Sequence, residues 1–363
     1  MSNYLYQSDG VPAYDMLIFC HLRWDFVYQR PQHIISRLAK QFRILVIEEP
    51  VGVYNDEQSY FKVREVAPNI HICQPLVENL SQLGAYLKKH LHKNTFPIGW
   101  FYSAAFVSVL SDLDFDSVIY DCMDELSLFK GASSELLAQE DQLLAAADIV
   151  YTGGRSLFES KSRRHHNVHC FPSSVDIHHF SNHYTENIER PADLDSVFLP
   201  IVGYYGVIDE RIDLELLRGV ALLRPDFAFV MIGPLCKIDE SDLPNAENIH
   251  YLGMKTYEEL PKYLHFFKIA MMPFALNDAT RFISPTKTLE YMAANKPIIS
   301  TRIRDVERSY SSCVNLVDNP EEFSAAIQKP FRNFKQHYRS ILSETSWDRT
   351  VQSMSTLITD VPA

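Results

Sequence analysis

Lys287 and Glu290 stand three residues apart in the run Arg281-Phe282-Ile283-Ser284-Pro285-Thr286-Lys287-Thr288-Leu289-Glu290-Tyr291-Met292-Ala293-Ala294-Asn295-Lys296-Pro297. Ser284 and Pro285 read as a helix start. Thr286 and Lys287 then fall in the first turn, and Glu290 shares a helix face with Lys287. A first turn presents unbonded N–H groups and the positive end of the helix dipole, so it attracts anions. A lysine is electrostatically out of place there unless an anion accompanies it. A lysine for a diphosphate and a carboxylate for a ribose hydroxyl pair would suit this spacing. The bland alternative is a solvated Lys–Glu pair on a helix surface.

Three other places carry residues suited to chemistry. Gly203-Tyr204-Tyr205-Gly206 follows an apolar run, and a glycine such as Gly206 lets backbone come close to a diphosphate. Tyr120-Asp121-Cys122-Met123-Asp124-Glu125 ends another run. Asp121 or Asp124 could act there as general base or acid, or cap a helix instead. The segment from His21 to His33 holds Arg23, Trp24, Asp25, Arg30 and His33, types that stack on sugars and bond to their hydroxyls. It could equally be an aromatic loop packed on an interdomain face. It lacks the glycines of a dinucleotide fingerprint, so an NAD or FAD site is a weak reading. Histidine pairs 165/169 and 179/183 have i, i+4 spacing, but no carboxylate or cysteine completes a set, so no metal is expected.

The elements that must hold these residues alternate. Short apolar runs at 16–20, 43–47, 70–73, 97–101, 117–120, 148–152 and 169–171 read as buried strands. Helical patterns at 31–40 and 133–147 lie between them. The stretch 178–195 has linker composition. A second series follows, with strands at 199–204, 227–232, 249–252, 269–272 and 297–300 and helices at 214–223, 257–267 and 287–294. Alternation of this kind predicts parallel sheets covered on both faces. Ligands in such sheets bind beyond the carboxyl ends of the strands, where all four candidate places fall. The expected fold is α/β: two doubly wound parallel-sheet domains facing a cleft.

Composition narrows the function. The 363 residues suit two domains at about 150 residues each. A net charge of −12 argues against a nucleic-acid binder, which needs a basic footprint. The six cysteines, at 20, 73, 122, 170, 236 and 313, form no C-x-x-C pair and fit a reducing cytoplasm. The polar start, Met1 to Gly10, has no apolar core of a signal peptide, and no apolar run approaches membrane-spanning length. A peripheral seat at the inner membrane is compatible with all of this.

The run around Lys287 resembles the donor-binding motif of GT-B fold glycosyltransferases, above all the glycogen synthase-like and polysaccharide-building bacterial branch, which includes teichuronic acid and exopolysaccharide enzymes. In that family the lysine holds the nucleotide diphosphate and the glutamate holds the ribose; by position these are Lys287 and Glu290. A second glutamate often stands eight residues earlier, where this chain has Phe282. The Trp24 to His33 pattern resembles N-termini in a subgroup of these enzymes. Asp124 resembles the base of some inverting members, with Asp121 as runner-up. The segment 252–255, with Met254, resembles the one whose backbone reads the nucleobase. The family's usual arginine before that turn is missing, and Arg211 or Arg281 would supply a second positive charge. Phe171 to Asp176 and Ser346-Trp347-Asp348 resemble the end of the N-terminal domain and the tail helix that crosses back onto it.

The resemblance implies an acceptor domain over 1–185 plus the helix at 345–363, and a nucleotide-sugar domain over 186–344. It implies a metal-independent glycosyltransferase with no cofactor and a UDP- or GDP-linked donor. Its acceptor would be a glycan or a lipid-linked glycan in cell-surface polysaccharide synthesis. A nucleotide-sugar 2-epimerase of the same fold, or a catalytically silent nucleotide-sugar binder, are the alternatives.

Overall fold

The computed structural model describes residues 14–51, 63–181, 188–329 and 334–359. The Met1–Gly10 segment, His183 and the last residues of the expected tail helix lie outside the described residues. The chain divides into two compact units. The first comprises residues 1–127, 131–171 and 350–363; the second comprises 128–130 and 172–349.

The first unit contains β1 (Met16–Cys20), α1 (Arg30–Leu38), β2 (Ile44–Glu48), β3 (Val63–Ala67), β4 (Ile70–Cys73), α2 (Leu83–Leu91), β5 (Thr95–Phe101), β6 (Asp114–Cys122), α3 (Leu136–Ala146), β7 (Ile149–Thr152), α4 (Arg155–Lys161) and β8 (Val168–Cys170). Its sheet runs β3-β4-β2-β1-β5-β6-β7-β8. Every pairing is parallel except β3 with β4, so the antiparallel strand is an edge. The central strands are apolar along their length because helices cover both faces: β1 and β2 are buried at every residue. Helix α1 starts as expected, with Pro31 in its first turn and a Gln29–Gln32 capping box, and buries Ile34, Ile35 and Leu38.

The second unit continues with α5 (Ile177–Ser181), β9 (Ile201–Tyr205), α6 (Leu214–Leu223), β10 (Ala228–Ile232), β11 (Ile249–Tyr251), α7 (Leu260–Phe266), β12 (Phe267–Met272), α8 (Lys287–Ala293), β13 (Ile298–Thr301), α9 (Arg304–Tyr310), β14 (Asn315–Val317), α10 (Pro320–Gln328) and α11 (Phe334–Leu342). Its sheet is wholly parallel, in the order β11-β10-β9-β12-β13-β14. Counted within the unit this is the 3-2-1-4-5-6 order of a Rossmann sheet, with its switch point between β9 and β12. The closing helix α12 (Trp347–Thr359) belongs to the first unit from Thr350 onward, where the Tyr151 hydroxyl donates to the Met354 carbonyl at 3.0 Å.

One expected boundary moves. The division falls after Phe171 rather than at 185/186, because Val175 and Phe180 are buried in the second unit's core. The expected linker is partly built, for the same reason: Phe180, Leu194 and Val197 pack into that core and draw α5 and a short 3₁₀ turn with them.

Close packing at the centre of the second sheet gives a stability test. A Cβ on Gly203 would lie 2.3 Å from the Phe267 ring across the β9–β12 pair. Gly203→Ala is expected to cost about 1–3 kcal/mol, read as a lower urea midpoint. Adding Phe267→Leu should recover part of that loss.

Candidate active site

The switch point brings together residues far apart in sequence. Strand β9 ends at Tyr204 and Tyr205 and turns at Gly206; β12 leads, through residues 273–286, into α8 with Lys287 and Glu290. Three glycines with positive φ sit at the carboxyl ends of neighbouring strands: Gly206 (φ 139°), Gly233 (φ 149°) and Gly253 (φ 67°). The values at Gly206 and Gly233 suit glycine alone among common residues, whereas that at Gly253 is also reached by Asn69 at 65°. The Gly206 N–H donates to the Ile232 carbonyl at 2.8 Å, and the Gly233 N–H to the Gly253 carbonyl at 2.9 Å. These amides are therefore engaged. What the row contributes is room rather than donors.

Lys287 occupies that room. A Cβ on Gly206 would fall 2.2 Å from its Cε and 2.6 Å from its Nζ, and a Cβ on Gly233 would fall 1.9 Å from the Gly206 carbonyl oxygen. The ammonium sits 5.6 Å from the centroid of the Tyr204 ring, within cation–π range. Glu290 is buried at 7% exposure and accepts a hydrogen bond from the Tyr205 hydroxyl at 2.7 Å. Burial pushes its carboxyl above the ordinary range; the Lys287 charge and the Tyr205 bond pull it part of the way back.

The amino end of α8 departs from the expected anion site. The helix has seven residues and begins at Lys287, with Thr286 as its N-cap. The N–H groups of Thr288, Leu289 and Glu290 already donate to the Pro285 and Thr286 carbonyls. The charged groups at this candidate site are therefore the side chains of Lys287 and Glu290 rather than the helix end. Thr286 donates to the Ser173 hydroxyl at 3.2 Å, and Ser173 to the Ser284 carbonyl at 2.9 Å. Both pin the start of α8.

The other expected donor residues fare differently. Arg211 is held by Asp209, with its Nη2 2.6 Å from the carboxylate, so its charge is neutralised locally. Arg281 is exposed, with its guanidinium 5.4 Å from the centroid of the Phe282 ring. Met254 follows Gly253 and is 43% exposed. Gly233 and the two tyrosines were not singled out from sequence. The signal for Gly233 was its place just past a strand, the same signal that marked Gly206.

In the first unit, several polar residues expected to meet an acceptor are committed to architecture. Glu48, at the end of β2, accepts from the Arg23 guanidinium at 3.2 Å and from the Trp24 N–H at 2.6 Å. Asp25 pairs with Arg64. Arg30 grips Asp121 through Nε and Nη2 at 3.2 and 2.9 Å and donates to the Phe171 carbonyl at 2.7 Å. Both partners are buried, Asp121 completely. Arg30 and Asp121 thus satisfy each other, and neither is placed to meet an acceptor or to act as base. His33 is also buried, edge-on to Tyr28. Asp124 is half-buried just past β6. Its neighbour Glu125 is bound at 2.7 Å by the fully buried Lys161, which also holds Glu140 at 2.6 Å. His165 and His169 share no helix: the first bonds to the Ala147 carbonyl and the second lies in β8. Among the described residues, no helix is long and apolar enough to cross a membrane.

Residues 200–333 match the family model described as Glycosyl transferases group 1. This matched segment lies within the second unit and is the chain's group 1 glycosyl transferase domain. A Bacillus subtilis protein named as a candidate teichuronic acid biosynthesis glycosyltransferase, TuaH, is 22% identical over 310 residues, which are 77% of this chain and 74% of that protein. Sucrose-phosphate synthase from Thermosynechococcus elongatus superposes with a TM-score of 0.69 at 15% identity, covering 95% of this chain and 98% of that one. Anabaena HepE, solved with UDP and glucose, gives 0.67 at 13%, covering 96% and 100%. The likeness over nearly the whole chain gives it the GT-B fold, and it is a glycosyltransferase.

The raised Glu290 carboxyl makes a pH prediction. Its ordinary value is 4.5, and the folded protein holds it higher, so the folded state binds the proton more tightly than the unfolded one. Stability from this group is full below the unfolded value and falls as pH rises toward the folded value. Urea midpoints taken across that window should decline in wild type relative to Glu290→Gln and run parallel to it at higher pH.

Proposed function

We propose that the group 1 domain binds a UDP-linked sugar between Lys287 and Glu290, and that the chain transfers this sugar to a glycan or lipid-linked hydroxyl in cell-surface polysaccharide synthesis. The observation that carries the reading is the meeting of an ammonium, a buried carboxylate and side-chain-free backbone at one switch point. The ammonium suits a diphosphate and the carboxylate a ribose hydroxyl pair. The glycine row leaves space for phosphate to lie against backbone. The UDP in the HepE structure and the teichuronic acid pathway in the TuaH name support donor and acceptor class.

In the reaction, the bond between the sugar's anomeric carbon and the diphosphate oxygen breaks, and a bond from the acceptor oxygen to that carbon forms. Lys287 stabilises the negative charge that grows on the leaving diphosphate. Glu290 holds the ribose and so fixes the donor against that lysine. Asp124 takes the proton of the acceptor hydroxyl if the sugar inverts. It is the better base of the two aspartates, since Asp121 is buried on Arg30. Arg23 and Trp24, fixed by Glu48, shape the loop assigned to the acceptor.

Lys287→Ala should lower turnover by about 100- to 1000-fold and leave the melting temperature near wild type. Transfer from UDP-sugars to a glycan acceptor at an undiminished rate in this variant would reject the assignment.

A further inference from the structure

Glu290 is held by a residue from a different element, and that contact has a use. Its Oε2 accepts from the Tyr205 hydroxyl at 2.7 Å. Tyr205 is itself fixed. It is 3% exposed, its backbone N–H donates to the Tyr291 hydroxyl at 3.3 Å, and its ring meets Tyr291 edge-on at 5.1 Å and lies parallel to Phe180 at 6.4 Å. The contact joins the last residue of β9 to α8 across the switch point.

We propose that Tyr205 is a positioning residue that aims Glu290 at the ribose and thereby sets the site's preference for ribonucleotides. The inference rests on the reading of Glu290 as the ribose ligand. A carboxylate has two oxygens and about four acceptor directions. Tyr205 occupies one oxygen and leaves Oε1 to accept from the sugar hydroxyls. The terminal torsion of a glutamate is broad, so without a fixed donor the carboxylate turns freely. A phenol is also the right kind of donor. It orients the carboxylate without cancelling its charge, as the guanidinium of Arg211 does for Asp209. Lys287 lies on the same helix face, and a Glu290 released from Tyr205 can swing toward that ammonium. The swing would close off the phosphate-binding charge together with the ribose contact. Tyr205 holds one carboxylate oxygen in place, so that each group can serve its own part of the nucleotide.

The test is binding of uridine diphosphate against 2′,3′-dideoxyuridine diphosphate, by calorimetry, in wild type, Tyr205→Phe, Glu290→Gln and the double variant. The phenylalanine keeps the ring packing and removes only the hydroxyl; thermal melting checks that the fold is kept. Wild type should prefer the ribose form by about 10- to 100-fold, the size of a hydrogen bond to a charged group. Tyr205→Phe should reduce that preference to about threefold or less. Adding Tyr205→Phe to Glu290→Gln should change it no further, because the tyrosine acts through the glutamate. A wild type that discriminates, with a Tyr205→Phe that discriminates equally, overturns the role of Tyr205 alone. Additive losses in the double variant overturn it as well. A wild type that binds both nucleotides equally overturns the ribose reading of Glu290 and this role with it.

Discussion

Bare backbone beneath one lysine is the constraint on which the chemistry proposed for the second unit rests. Gly233 must lack a side chain so that Gly206 can approach it, and Gly206 must lack one so that the Lys287 stem can lie over it. The Tyr204 ring then supports the ammonium from β9. The first two steps are steric, the third is electrostatic, and each depends on the one before. Strand order β10-β9-β12 makes it feasible, because it puts the ends of β9 and β10 side by side and delivers α8 from the neighbouring strand. The glycines provide space, while the charged groups come from α8. Because the amides of Gly206, Gly233, Thr288, Leu289 and Glu290 are already bonded, the proposed site depends on its side chains more than a helix-end anion site would.

The distribution of charge follows the same logic. The chain is strongly acidic, yet the group that faces the proposed diphosphate is a lysine beside a buried glutamate. Arg211 is neutralised by Asp209, which leaves Lys287 as the cation the glycine row faces. In the first unit, buried ion pairs have an architectural job. Arg30 with Asp121 ties the start of α1 to the end of β6, and Lys161 with Glu125 and Glu140 fixes the loop that carries Asp124. Removing one partner of such a pair leaves an uncompensated buried charge, which is far more costly than the pair itself is favourable. These contacts hold the loops past β1 and β6 in place while leaving Asp124 half-exposed.

Much of the fold was legible because buried parallel strands are apolar runs. Met16–Cys20 and Ala228–Ile232 announce themselves. Edge strand β3, Val-Arg-Glu-Val-Ala, does not: two of its five side chains face solvent and are charged. Helix α2 was missed because Gly84 and three basic residues, Lys88 to His90, weaken its pattern. At the site, Lys287 and Glu290 could be found because local spacing puts both on one helix face. Tyr205 could not, since its partner is 85 positions away. Arg30 misled for the same reason. Its composition suggests ligand binding, and nothing near it in sequence shows that Asp121, 91 positions on, takes up its charge. Local chemistry reads from sequence; which polar groups are already satisfied depends on sheet order.

A crystal structure of the protein with uridine diphosphate tests the central claim most directly. The account predicts phosphate oxygens within about 2.7–3.2 Å of Lys287 Nζ, lying against the Gly206 backbone, with the ribose at Glu290. Nucleotide bound elsewhere, or a Lys287 side chain turned to bulk solvent over an empty glycine row, would contradict it.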